Sequence, residues 1–277
     1  MPRILAALLV LLLATSAHAG TIWQMPTEYP ATTLVGEGLA LFAKLTAGKT
    51  NGEIAITPRY EAGQAFKSSG MIAAIQEGRT PAGDAFLSAL TATDPLFALP
   101  ALPFLATSFD DAQRLADLAR PAYAKAMAKH GLRLLYLTPW PATGLWTKTR
   151  VTTPEQLRAL SVRAYDATST EVMTNAGVKA TNLSFADTMP RLKDGSIDAV
   201  LSSGDGGAGR GLYQFLPNPT ESLRHRRLSR DSAHGRDSRR SLEATWITTR
   251  AALAPNALPR ISLTWEAFSA IPGGMGR

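Results

Sequence analysis

Hydrophobic and polar positions alternate along this chain in blocks of two periods. Thr21-Ile-Trp-Gln-Met25 reads as a first strand ended by Pro26. Thr33 to Gly48 then carries a helical period, with Leu34, Gly38, Leu41, Phe42 and Leu45 on one face. Glu53–Thr57 is strand-like, Phe66–Glu77 helical and closed by Gly78, and Gly83–Leu87 strand-like again. Asp94–Leu105 has three prolines and is expected as a packed apolar loop. Ser108 with Asp111 forms a capping box for a helix to about Lys129, which Pro121 is expected to kink or split.

Leu132–Leu137 predicts a strand, and Thr153-Pro-Glu-Gln156 a second capping box with proline at its favoured first position. Leu160–Arg163 and Ser196–Leu201 predict strands, Ser169–Ala176 a helix, and Ser184–Gly195 a helix carrying an awkward Pro190. Alternating strands and helices make the body α/β with largely parallel sheets.

Composition narrows the chemistry. Of 277 residues, 45% are hydrophobic and 18% charged, enough for a packed core. Cysteine is absent, which excludes disulfides, thiolate metal sites and cysteine nucleophiles. Arg3, the apolar run Ile4–Ala14 and Ala17-His18-Ala19 have the layout of a secretory signal peptide over residues 1–19, which predicts export with cleavage after Ala19. The net charge of +7 is uneven: residues 1–220 carry 19 basic and 17 acidic side chains, residues 221–277 carry 10 and 5. A nearly neutral body argues against nucleic acid as a partner. His130, beside Lys129 at a helix end, has no nucleophile in local spacing, so no catalytic or metal-binding set emerges and no cofactor is expected. Gly204-Asp-Gly-Gly-Ala-Gly209 formally matches a dinucleotide-binding run, but only Arg210–Leu216 follow before Pro217, too few for the long helix that such a site needs.

Six short motifs occur in a familiar order: Glu61-Ala-Gly-Gln64, Ile75-Gln-Glu-Gly78, Leu102-Pro-Phe-Leu105, Thr153–Arg163, Asn175-Ala-Gly-Val178 and Leu192–Asp198. Over residues 20–221 the chain resembles the solute-binding proteins of tripartite ATP-independent periplasmic (TRAP) transporters, of the dicarboxylate-binding type. The resemblance implies a two-lobed, flytrap-like periplasmic-binding-protein fold, with lobes over 20–141 and 142–221. It implies capture of a small organic acid in the interlobe cleft and delivery to a membrane permease, with no enzymatic step.

By this resemblance Arg163 clamps the ligand carboxylate. It ends a strand, where ligands sit in open α/β sheets, and its planar fork suits a carboxylate. The second arginine common before the hinge is missing. Trp140 and Trp146 stand there instead, as an aromatic wall for a monocarboxylate with an apolar or ring-bearing body, as a surface on which a sugar acid stacks, or as packing. Ser202, Ser203 and Asp205 follow the next strand and offer polar contacts. Asp166 either meets the ligand or caps the following helix; Trp23, Tyr29 and Gln64 are candidates from the first lobe.

The resemblance stops at Glu221, and residues 222–277 form a basic tail, expected to be mostly disordered, with seven arginines between Arg224 and Arg240. A reading-frame shift in the coding DNA or a genuine basic extension would each produce this change, and the extension would suit an exported polyanion-binding protein. Loss of the family's returning segments would leave the fold incomplete, with strand edges open.

Overall fold

The computed structural model describes residues 20–102, 105–106, 109–141, 143–221 and 242–250. The expected signal segment, Ser108 and the arginine-rich 222–241 lie outside them.

The chain forms two α/β lobes. In the first, β1 (Thr21–Pro26) leads through α1 (Leu34–Lys49) to β2 (Ile54–Arg59), which pairs with β1 in parallel, Trp23 opposite Ile56. Two short helices, a 3-10 turn at Ser68–Gly70 and α2 (Met71–Gln76), precede β3 (Ala82–Ala85). The expected loop after β3 is a 3-10 helix over Pro95–Ala101, started by the Asp94 side chain accepting from the Leu96 N–H at 3.0 Å. Helix α3 (Phe109–Ala128) then leads to β4 (Leu132–Pro141).

Helix α3 runs unbroken through Pro121, against expectation. An interior proline costs a helix about 3 kcal/mol. Burial of Ala119, Tyr123, Ala126 and Met127 against Leu132 and Leu134 offsets that cost. The buried face of α1 also differs from the pattern reading. Val35, Leu39 and Phe42 point inward, and Leu34, Leu41 and Leu45 are only half-buried. Phe42 stacks on Tyr136 of β4 with ring centroids 4.5 Å apart, and that contact fixes the helix rotation.

The second lobe holds a five-stranded sheet in the order β7-β6-β8-β5-β9: β5 (Thr143–Thr147), β6 (Ser161–Ala164), β7 (Lys179–Asn182), β8 (Ala199–Ser203) and β9 (Asn218–Glu221). Its helices are α4 (Pro154–Arg158), α5 (Ala167–Asn175), α6 (Phe185–Lys193) and α7 (Gly204–Gly209). The Thr153–Gln156 capping box is present, with Pro154 in the first turn. Strand β6 is parallel to β7 and β8, and β5 is antiparallel to β8 and β9, so the sheet is mixed rather than largely parallel. Alternation along β8 divides the core. Val200 packs with Trp146, Phe185 and Leu212 on one face, and Ala199 with Val162 and Val178 on the other.

Within the tail, Leu242–Arg250 forms a strand, β10, set antiparallel between β3 and β4. The tail is therefore not wholly irregular, and the facing edges of β3 and β4 are paired rather than open.

The glycine run Gly204–Gly209 is the six-residue helix α7, and close packing explains two of its glycines. A Cβ on Gly207 would fall 2.3 Å from the Trp146 ring, and one on Gly209 would fall 2.6 Å from Thr33 Cγ2 in the first lobe. Among the described residues no helix is long and apolar enough to cross a membrane.

Candidate functional site

A cavity of about 280 Å3 opens between the lobes. Strand ends line it. Glu28 and Tyr29 follow β1, Phe86 follows β3, Trp140 closes β4, Arg163 and Tyr165 bracket the end of β6, Asn182 ends β7, and Ser202 and Ser203 end β8. This is where open α/β sheets gather ligands, because loops from several strands converge there. The volume falls just below the roughly 300–1,000 Å3 of most small-molecule sites, which favours a small guest.

Arg163 is 4% exposed. Its Nε donates to the Leu183 carbonyl at 2.8 Å and its Nη1 to the Leu201 carbonyl at 2.9 Å. These bonds fix the guanidinium plane. Of the five N–H donors that arginine carries, the other three have no partner among the described residues. Burial pulls the guanidinium down to about 10, and Tyr29 and Glu28 pull it back up. It remains cationic at neutral pH. The Phe185 ring centroid lies 4.4 Å from its central carbon. Such an arginine offers a fixed positive fork to a carboxylate.

The walls supply shape and directed polar groups. Tyr29 and Trp140 meet edge to face at 5.0 Å, and Phe86 meets Tyr165 similarly at 5.5 Å. Burial holds the Tyr29 hydroxyl far above its usual range, with Glu28 and Asp84 adding to the effect, so it stays a neutral donor. The Ser202 hydroxyl has no partner among the described residues, whereas Ser203 accepts from the Gly206 N–H at 2.9 Å and caps α7. At the rim, Lys67 and Asp187 pair at 2.7 Å across the cleft. That bond, and a second from Ser184, lower the Asp187 carboxyl below its usual range.

Several sequence candidates lie elsewhere. Trp23 is in the first-lobe core on β1, and Trp146 packs in the second-lobe core against α7. Both face their own sheet's interior. Gln64 is exposed on a 3-10 turn outside the cavity lining. Asp166 caps α5: the Ser169 N–H donates to its Oδ1 at 2.7 Å. Asp205 accepts from the Leu34 N–H at 2.9 Å, at the start of α1 in the opposite lobe. The cavity thus gathers Arg163, Ser202, Ser203, Trp140 and Tyr29 from the sequence candidates.

Sequence reading passed over Glu28, Phe185 and Arg210. The strand-end rule that selected Arg163 also reaches Glu28 and Tyr165. Arg210 has no such signal. It follows α7, donates from Nη2 to the Glu28 carbonyl, and lies 4.5 Å from the Phe185 centroid.

Residues 25–226 match the family model described as bacterial extracellular solute-binding protein, family 7. Among solved structures, an extracytoplasmic solute receptor from Bordetella pertussis that binds pyroglutamic acid is 25% identical, with a TM-score of 0.72 over 85% of this chain and 74% of that one. A TRAP solute-binding protein from a marine metagenome, specific for pyroglutamate, is 26% identical, with a TM-score of 0.73 over 85% and 73%. A TRAP periplasmic solute-binding protein from Pseudomonas aeruginosa with bound L-malate is 20% identical and shares the fold, with a TM-score of 0.69 over 84% and 76%. No curated protein matches the chain significantly.

Proposed function

The chain belongs to family 7 of the bacterial extracellular solute-binding proteins, the TRAP-type receptors that take up small organic anions outside the cytoplasm for membrane permease subunits, and on that premise we propose that it binds a small ring-bearing monocarboxylate through Arg163. The carrying observation is the buried guanidinium at the cleft, braced by two backbone carbonyls and left with three donors unused. Trp140, Tyr29 and Phe86 offer flat apolar walls for a ring, and Ser202 offers a hydroxyl. Family membership supports a receptor rather than an enzyme. The pyroglutamate bound by two of the relatives is a compact cyclic acid of the kind that this cavity suits.

Titration calorimetry of the purified chain with pyroglutamate tests the reading. Arg163→Ala is expected to weaken binding by at least about 30-fold, the scale for removing one partner of a buried charge pair. Unchanged affinity in that variant would remove Arg163 from the site.

A further inference from the structure

Glu28 lines the same cavity and is 8% exposed. It is held in place from three sides. The Ser68 N–H donates to its Oε1, Arg210 donates to its backbone carbonyl, and its Cγ lies 3.4 Å from the point where Gly63 would carry a Cβ. Its second carboxylate oxygen has no donor among the described residues. Glu28 and Arg163 do not form an ion pair, although each acts on the cavity's field. The other acidic residue of the lining, Asp187, differs in charge balance and exposure: it sits at the rim about four-tenths exposed, and its Oδ2 is neutralised by the Lys67 ammonium at 2.7 Å and also accepts from Ser184 at 2.8 Å.

The cavity therefore has two poles: a cationic fork with spare donors and an anionic acceptor with a spare oxygen. We propose that Glu28 makes this site select monocarboxylates that carry an N–H donor, and that it rejects both isosteres lacking that donor and acids with a second carboxylate. The proposal rests on the reading of Arg163 as the carboxylate holder. A lactam or ammonium nitrogen suits Glu28 because it offers hydrogen without turning a free lone pair toward the carboxylate. A ring oxygen in the same place would set lone pair against anion and leave Glu28 unpaired. A second carboxylate would place like charges together out of water.

Calorimetry on the full chain compares three probes: pyroglutamate, its γ-lactone counterpart with the ring N–H replaced by oxygen, and L-malate. The wild type is expected to prefer the lactam over the lactone by about 10- to 100-fold, the scale for leaving a charged hydrogen-bonding group unpaired. Glu28→Gln keeps an oxygen for the Ser68 N–H, and is expected to narrow that preference to about threefold and to improve malate binding. Equal binding of lactam and lactone by the wild type overturns the role of Glu28 and leaves the carboxylate reading standing. So does an undiminished preference in a folded Glu28→Gln. Failure of the wild type to bind any of the three overturns both. Should Glu28→Gln not fold, the wild-type lactam-to-lactone ratio decides alone.

Discussion

Asp84 sits on β3 without solvent exposure. Its Oδ2 accepts the Thr27 hydroxyl at 2.7 Å, and its Oδ1 is buried without a partner among the described residues. Burial pushes this carboxyl up to about 7, the Thr27 bond opposes the rise, and Glu28 adds to it. The folded protein thus holds the Asp84 proton more tightly than the unfolded chain does. Stability is unaffected below the unfolded value of 3.8, falls as pH rises from there toward 7, and levels off above. The loss amounts to at most about 4 kcal/mol, one pKa unit being about 1.4 kcal/mol. Asp84→Asn is expected to flatten this slope, read as a smaller difference in Tm between pH 5 and pH 8; an unaltered difference would show that another group sets it. Single residues were legible in the sequence where one rule decided them. Arg163 and Ser202 stand at strand ends that the family motifs also marked, and the structure places both in the cavity lining. The tryptophans were not separable, because the strand face that each occupies decides between cavity and core. Trp140 looks into the cleft, and Trp146 looks into its own sheet.

Helix α7 shows how an element's sequence serves its surroundings. Four glycines in six residues make a poor helix, each costing about 1 kcal/mol relative to alanine. Gly207 and Gly209 persist because the helix lies directly on Trp146 and Thr33, whereas nothing crowds Gly204. Gly207→Ala would gain intrinsic helix propensity and still lose stability, by about 1–3 kcal/mol, since the indole cannot yield the space a methyl needs. Denaturant unfolding measures the outcome, and a more stable variant would refute the packing account. The same run looked like a phosphate-binding motif in one dimension, and only its short length argued otherwise. Caps were the most readable features: Thr153 with Gln156, and Ser184 with the Asp187 N–H, close helices through bonds three residues apart. Helix rotation was not readable, because leucines on two sides of α1 compete and the Phe42–Tyr136 stack chooses between them.

At the scale of the molecule, the two lobes are tied together by few bonds. Lys67–Asp187 is about four-tenths exposed on each side, so water and salt screen it and it contributes little. The bond from the Leu34 N–H to Asp205 is better sheltered, and it sets a carboxylate against the positive end of α1. Asp205→Ala removes no cavity residue, yet is expected to weaken ligand binding about 3- to 10-fold by favouring the open arrangement of the lobes. The ligand-free variant should also show a larger radius of gyration by small-angle scattering. Wild-type affinity and radius together would exclude Asp205 from closure. The two-lobe plan was legible through ordered motifs across both halves. The return of the chain to the first lobe was not, because Leu242–Arg250 follows a stretch whose composition suggested no structure.

That returning strand governs the order in which the protein is completed. Strands β3 and β4 leave the ribosome early, and the segment that joins them is made long afterwards. During synthesis the first lobe is a sheet with a gap, and it closes only once the returning strand has been made. Pairing across so long a separation is intrinsically slow. Closure of the first lobe is therefore expected to come last as the chain matures.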